Sequence, residues 1–313
     1  MTLFRVPLLT NGATHSAQSI RMMIRDLARD SEGITQGDDL KVSELDTPGG
    51  GVQISDGSGV VRGRYDAFQG SYAVCNAGVD DTVAIAANGG GSTRYDLVVL
   101  RVEDPEYEGT LDPETDDICY FQVIPNVSSS ATAPPDSRTC IALARIAIPA
   151  ATATITDAMI TDVRQCANPR RERTLQVQSP GTLSTLIGGT SGTYSYFSTA
   201  AGWAVAVPDW ATTARIKVDV AGLRLATDVV FGNFRATFGA SLSMQPTVVD
   251  DNDTGTRRIY HMAADTLAIP AGYRGTTQTL RAQFAGLAGN VGTASVDPST
   301  TLAADVEFFE APR

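Results

Sequence analysis

The spacing of apolar positions changes character at about Lys41. Before it, between Thr14 and Asp30, Ile20, Met23, Ile24 and Leu27 recur at intervals of three and four. That is the stripe of an amphipathic helix. Thr14 or Ser16 can cap its first turn, and Glu32-Gly33 supplies the glycine expected just past its end. After Lys41 the runs are short and β-like. Val52-Gln53-Ile54 and Val60-Val61 flank Asp56-Gly57-Ser58-Gly59, which reads as a hairpin turn. Tyr95 to Val102 is apolar on both faces over its middle, the pattern of a central strand, and Ile118–Ile124 and Ile141–Ile148 follow the same logic.

Polarity next breaks the pattern at Ala167 to Thr174, where Asn168-Pro169-Arg170-Arg171-Glu172-Arg173 has no apolar period. The expectation there is a solvated linker. Beyond it, Ala214 to Val220 alternates, with Ile216, Val218 and Val220 on one face and Arg215, Lys217 and Asp219 on the other. This predicts a half-buried antiparallel strand. Phe231–Leu242, Thr279–Phe284 and Leu302–Phe309 predict further strands, separated by turn-rich segments. The fold class expected is therefore mainly β: an N-terminal helix followed by two β domains, the second a sandwich or jelly-roll-like module. The domains read as an arm and helix over 1–40, a β-rich domain over 41–168, a linker over 169–174 and a C-terminal β-sandwich over 175–313.

Composition narrows the partners. A net charge of −11 over 313 residues repels phosphate backbones and anionic lipid, so neither nucleic acid nor membrane insertion is expected. No apolar run reaches the ~18 residues a spanning helix needs. Met1 to Leu9 lacks the long apolar region and cleavage site of a secretory signal. Synthesis and assembly in a cytoplasm are the expectation. Cys75, Cys119, Cys140 and Cys166 form no CxxC pair and read as core thiols. Only Lys41 and Lys217 are lysine among the basic residues, the bias of a GC-rich genome.

The chemistry-bearing signatures are missing: no GxSxG, P-loop, GxGxxG after a strand, or HExxH, and only two histidines, His15 and His261. No catalytic residue and no cofactor is assigned, and the chain is expected not to be an enzyme. An acidic run (Glu103, Asp104, Glu106, Glu108, Asp112, Glu114, Asp116, Asp117) could hold a glycosidase carboxyl pair or calcium, or be a solvated loop. Asp250, Asn252 and Thr254, followed by Gly255, echo a calcium loop, but without the distal glutamate; an Asp/Asn/Gly hairpin turn explains them as well. Trp203 and Trp210, preceded by Tyr194, Tyr196 and Phe197, could stack on sugar rings as a glycan contact or be consumed by a core.

Three stretches carry a resemblance: Tyr95–Asp104, Tyr120–Ile124 and Cys140–Arg164. With the upstream helix and the segments Gly37–Val42 and Val60–Tyr65, they resemble the N-terminal module of minor tail proteins in long-tailed phages of actinobacteria, over roughly residues 10 to 168. The second half is similar, more loosely, to the β domains that follow this module, through Leu267–Pro270 and Gly275–Leu280. The resemblance implies a virion component at a tail tip or baseplate, homotrimeric, in contact with other phage tail proteins. It implies a receptor-binding adhesin for host cell-wall carbohydrate as the alternative, and brings no catalytic residues. A cell-wall hydrolase working through the acidic run is a distant third.

Overall fold

Ser16 starts the only α-helix among the described residues: its side chain accepts a hydrogen bond from the Ser19 amide at 3.1 Å, capping α1 (Ala17–Leu27). The computed structural model describes residues 10–78 and 81–313; the N-terminal arm, residues 1–9, lies outside them. The protein is 45% strand and 6% helical. The chain divides into two compact units, Met1–Pro169 with Ala311–Arg313, and Arg170–Glu310.

In unit 1 the strands are β1 (Gly33–Ile34), β2 (Val42–Glu44), β3 (Gly51–Ile54), β4 (Gly57–Arg62), β5 (Ser71–Asn76), β6 (Asp81–Ala84), β7 (Arg94–Val102), β8 (Cys119–Ile124), β9 (Cys140–Ile148) and β10 (Ile160–Asp162). They form three antiparallel sheets: β1-β4-β5, β2-β3-β6 and β10-β9-β7-β8. β7 lies between β8 and β9 and is buried on both faces, as its apolar run predicts. Val98, Leu100 and Val102 join the larger core, while Leu97 and Val99 meet Ile124, Cys140 and Val163 on the other side. The expected hairpin at Asp56–Gly59 is corrected. β3 pairs with β2 and β6, whereas β4 pairs with β1 and β5, so this turn passes the chain from one sheet to another. Residues 33–40, assigned above to the arm and helix, include β1 and the buried Leu40, and so belong to the β unit.

The helix packs by a face rotated from its apolar stripe, of which Met23 and Ile24 are half-buried. Ser19, Arg21 and Met22 are its buried residues, while Ile20 is 44% and Leu27 71% exposed. Gly70 dictates this orientation: its φ of +80° suits glycine, and a Cβ there would lie 2.5 Å from the Arg21 carbonyl carbon. The helix backbone therefore sits directly on Gly70 and turns Arg21 inward.

Unit 2 has β11 (Arg171–Gln178), β12 (Ser195–Tyr196), β13 (Gly202–Ala206), β14 (Thr213–Ala226), β15 (Val230–Phe238), β16 (Leu242–Ser243), β17 (Thr247–Asp251), β18 (Arg257–Ala268), β19 (Thr277–Gly286), β20 (Thr293–Ser295) and β21 (Thr301–Phe309). One sheet runs β11-β21-β14-β18, with β20 extending it alongside β14. The other runs from β12 and β13 through β19 and β15 to β16 and β17. The first strand, β11, lies beside the last, β21, and β12 and β13 lie beside β19, the wrapping of a jelly roll, with open rather than closed sheets. Between the sheets lie Phe197, Phe234, Phe238, Phe284 and Phe308, with Ile216, Val218 and Val220 of β14.

Two side contacts close the sandwich. Gln176 and Gln178 of β11 donate to the Ala204 and Gly202 carbonyls of β13 at 3.3 and 2.8 Å. At the far edge, Thr247 Oγ1 meets His261 Nε2 at 2.9 Å. The linker expected over 169–174 is corrected from Arg171 onward, because β11 pairs with β21 from Arg171 to Gln178. It shows no apolar period because, as an edge strand, it is exposed on both faces over most of its length.

His261 also presents its ring edge-on to Phe234, 5.4 Å between centroids, and burial holds its pKa below the ordinary value. A lowered histidine pKa contributes stability that is fully present above the unfolded value of about 6.5 and lost as pH falls through the folded one. The urea midpoint is expected to drop between about pH 7 and pH 5, and to drop less in His261→Gln. An equal drop in the variant would remove His261 as the cause.

Candidate functional site

The outward side of the second sheet of unit 2 collects a polar and aromatic set from strands whose other face is core. On β15, Phe234, Ala236 and Phe238 point inward, so Asn233, Arg235 and Thr237 point outward. On β19, Ala282 and Phe284 point inward, and Arg281 and Gln283 outward. Register places Arg235 opposite Gln283, Thr237 opposite Arg281, and Tyr196 of β12 opposite Gln283. Arg235 and Arg281 are therefore diagonal neighbours on one face.

Each guanidinium lies on a tyrosine ring: Arg235 over Tyr194 at 3.7 Å and Arg281 over Tyr196 at 4.2 Å from the centroids. The stacks are tied to the sheet. Arg235 Nε donates to Gln283 Oε1 at 3.0 Å, Arg281 Nε donates to the Ser198 carbonyl at 3.3 Å, and Tyr196 Oη and Thr237 Oγ1 are 3.2 Å apart. Gln283 and Thr237 are buried, which makes this a fixed floor. Chemically the set offers planar cationic donors, amide and hydroxyl partners, and aromatic rings. Tyr194 and Tyr196 were legible beside the tryptophans. The arginines were not, because only strand register brings β15 and β19 together.

Of the two readings of the tryptophans, Trp203 takes the core one. Trp203, on β13 opposite Leu280, is 5% exposed and belongs to the jelly-roll core, so no sugar ring can reach its face. Trp210 is partly buried against the same core, and the Arg170 guanidinium sits 5.3 Å over its ring.

The calcium candidates Asp250, Asn252 and Thr254 lie at the end of β17 and just beyond it, and the hairpin expected there is corrected. Asp250 lies on β17, opposite Phe231, and Asn252 and Thr254 follow in the exposed segment that carries the chain from β17 to β18. Those two strands belong to different sheets, so the segment is a crossing between sheets and not a hairpin turn. The neighbouring Asp251 accepts from Arg257 Nε at 2.7 Å. Among the described residues no three His, Cys, Asp or Glu side chains cluster as a metal site.

The acidic run is not simply a solvated loop. Its first half binds the helix. Arg21 reaches Glu106 at 2.6 Å and Asp104 at 3.3 Å, donates to the Gln69 carbonyl at 2.9 Å, and lies over the rings of Tyr72 and Tyr107 at 5.5 and 5.3 Å. Tyr72 donates to Asp104 at 2.7 Å; burial, and then that bond, pushes its hydroxyl pKa far above the usual range. Arg101 pairs with Glu103 and Glu108 at 3.2 and 3.3 Å, and Tyr120 donates to Glu103 at 2.7 Å. Asp112, Glu114, Asp116 and Asp117 remain on the exposed part. His15 is half-buried beside the helix cap, and His261 is the strand residue described above.

A groove of about 850 Å³ beside α1 is lined by Arg25, Arg29, Arg62 and Arg64. Asp26, Asp30 and Glu32 answer three of these arginines, so its charge is largely cancelled. Cys140 is buried and Cys119 half-buried, and burial pushes their thiols up to about 12 and about 11, which makes both poor nucleophiles. Cys75 is exposed on β5 and is not the core thiol expected.

No family model matches this chain, and no curated protein does. Among solved structures it is similar to the VP2 subviral particle of infectious bursal disease virus, at 13% identity and a TM-score of 0.25, over 93% of this chain and 82% of that one. The Gx strain of the same virus gives 11% identity and a TM-score of 0.25 over 90% and 75%. An insecticidal delta-endotoxin of Bacillus thuringiensis, Cry8Ea1, gives 9% and 0.22 over 92% and 55%. The likeness to viral capsid proteins is coarse, and at these TM-scores it carries no argument about function.

Proposed function

We propose that this chain is a non-enzymatic structural component of a virion, placed at the tail tip or baseplate of a long-tailed phage. Unit 1 attaches it, and unit 2 is the half presented. The observation that carries this reading is the helix. α1 is fixed by the Arg21 network with Ile20 and Leu27 of its stripe exposed, two apolar side chains that the described residues of their own unit leave largely uncovered. The sequence resemblance of residues 10 to 168 to tail-attachment modules supports the same role.

An antibody against unit 2 is expected to decorate one end of the tail in negative-stain micrographs of particles that carry this chain. Labelling of heads, or absence of the chain from purified particles, would overturn the placement. The exposed stripe is also the proposed self-association face, with a homotrimer as the expected assembly. Leu27→Glu together with Ile20→Glu is expected to convert a trimeric mass in light scattering to a monomeric one with little change in circular dichroism, since neither side chain is buried. A monomeric wild-type chain would remove the trimer. A second reading, an adhesin for cell-wall glycan, is favoured by the outward face of unit 2.

A further inference from the structure

We propose that the outward face built on β15 and β19 binds an anionic polysaccharide, with Arg235 and Arg281 as the groups that take its carboxylate or phosphate charges. The inference rests on the reading of unit 2 as the presented half. It is carried by a contrast between the two faces of the jelly roll. On the outer side of the other sheet most charges cancel in place: Arg173 with Asp305, Arg215 with Glu307, Lys217 with Asp219. Arg171, over the Phe309 ring, has no carboxylate partner among the described residues, but also no second unpaired arginine across the register from it. Elsewhere in the unit Arg170, Arg257 and Arg258 also have carboxylate partners. Arg235 and Arg281 have none among the described residues; their hydrogen-bond partners are a side-chain amide and a backbone carbonyl.

In a chain of net charge −11, two neighbouring guanidiniums left unneutralised on one face form a local positive site. Stacking on Tyr194 and Tyr196 holds both guanidinium planes in place while Nε is occupied, which leaves their terminal N–H groups available for an oxyanion. Asn233 lies beside them as a hydrogen-bonding neighbour for hydroxyls, above a floor that the buried Thr237 and Gln283 hold in place. The nearest acidic position in register, Asp250, stands off this centre, opposite Phe231.

A saccharide fits this set better than a peptide. Peptides bind sheets by adding a strand to an edge or by seating apolar side chains in pockets. β15 and β19 are interior strands, and the positions between the arginines are polar. A flat, polar, aromatic-edged floor suits an extended acidic glycan held weakly at each site and strongly by many copies.

The test uses the full chain in its native assembly. Polygalacturonate (carboxylate), poly(glycerol phosphate) (phosphate), neutral dextran and polyglutamate are compared by biolayer interferometry at low and high salt. Binding to one or both anionic probes, weakening with salt, with dextran inert and polyglutamate weaker, is expected; which of the two binds identifies the anion. Arg235→Ala with Arg281→Ala is expected to lose about tenfold or more in affinity, while Arg171→Ala on the other sheet changes little. Equal binding by dextran, stronger binding by polyglutamate, or an equal loss in Arg171→Ala would each overturn the proposal.

A measurement on the unaltered protein guards against a variant that does not fold. Saturating polysaccharide is expected to protect Arg235 and Arg281 from phenylglyoxal, read by peptide mass spectrometry, while Arg171 stays reactive. Unchanged modification at both arginines would sink the site. None of these readouts depends on where in a particle the chain resides. Failure here with tail-tip labelling intact rejects the site alone, and binding by a chain absent from particles rejects only the placement.

Discussion

Arg21→Ala is expected to cost about 3–5 kcal/mol of unfolding free energy, the range for removing one partner of a buried ion pair. The Arg21 and Asp104 side chains are 10% and 12% exposed, so deleting the guanidinium leaves a largely buried carboxylate with only the Tyr72 hydroxyl against it. It also releases the Gln69 carbonyl and empties the space between the Tyr72 and Tyr107 rings. The loss should appear in chemical denaturation as a lower midpoint, and hydrogen exchange should rise first in α1 and in the loop holding Gly70. Arg21→Lys is expected to recover only part of the loss, because an ammonium restores charge without the planar fork that reaches carbonyl, carboxylate and ring together. A loss below about 1 kcal/mol, the value of an exposed pair, would mean that the network is a surface ornament.

This network also marks where sequence reading stopped. The helix itself was legible from its cap and period, and so was the alternation of β14 and the doubly buried run of β7. The glycine expected to end the helix was not, because Arg29 and Asp30 take the positive φ values that turn the chain out and Gly33 belongs to β1. The face by which the helix packs was not, because amphipathicity assumes that the apolar side goes inward. Here a backbone contact at Gly70 and a five-partner arginine outweigh it. The strand at Arg171–Gln178 was hidden for a related reason: an edge exposed on both faces carries no burial period to detect. The turn at Asp56–Gly59 has hairpin composition, but whether a turn joins partners or passes the chain between sheets depends on long-range pairing. The candidate site was half visible. The tyrosines stand beside the tryptophans in sequence, but the arginines that stack on them come from strands distant in sequence, and register alone assembles the four.

The tryptophans separate core from surface in the second large prediction. Trp203→Ala is expected to destabilise unit 2 by about 3–5 kcal/mol, the cost of emptying a large aromatic from a packed interior. Trp203 is 5% exposed, and its neighbours on the inward side of the sandwich are other fully buried aromatics and aliphatics, which leaves little slack to collapse into the void. Its indole nitrogen has no hydrogen-bond partner, so the side chain contributes through packing and the substitution releases no polar group. Phe is the informative companion. Trp203→Phe keeps most of the ring and should recover more than half the loss, whereas a residue acting as a sugar platform would show no such grading with volume. Denaturation midpoints for the pair, taken with glycan binding at temperatures where both variants remain folded, decide the matter. Stability graded by volume with binding unchanged places Trp203 in the core. Wild-type stability with abolished binding would put its ring on the surface and contradict the packing of β13 against β19.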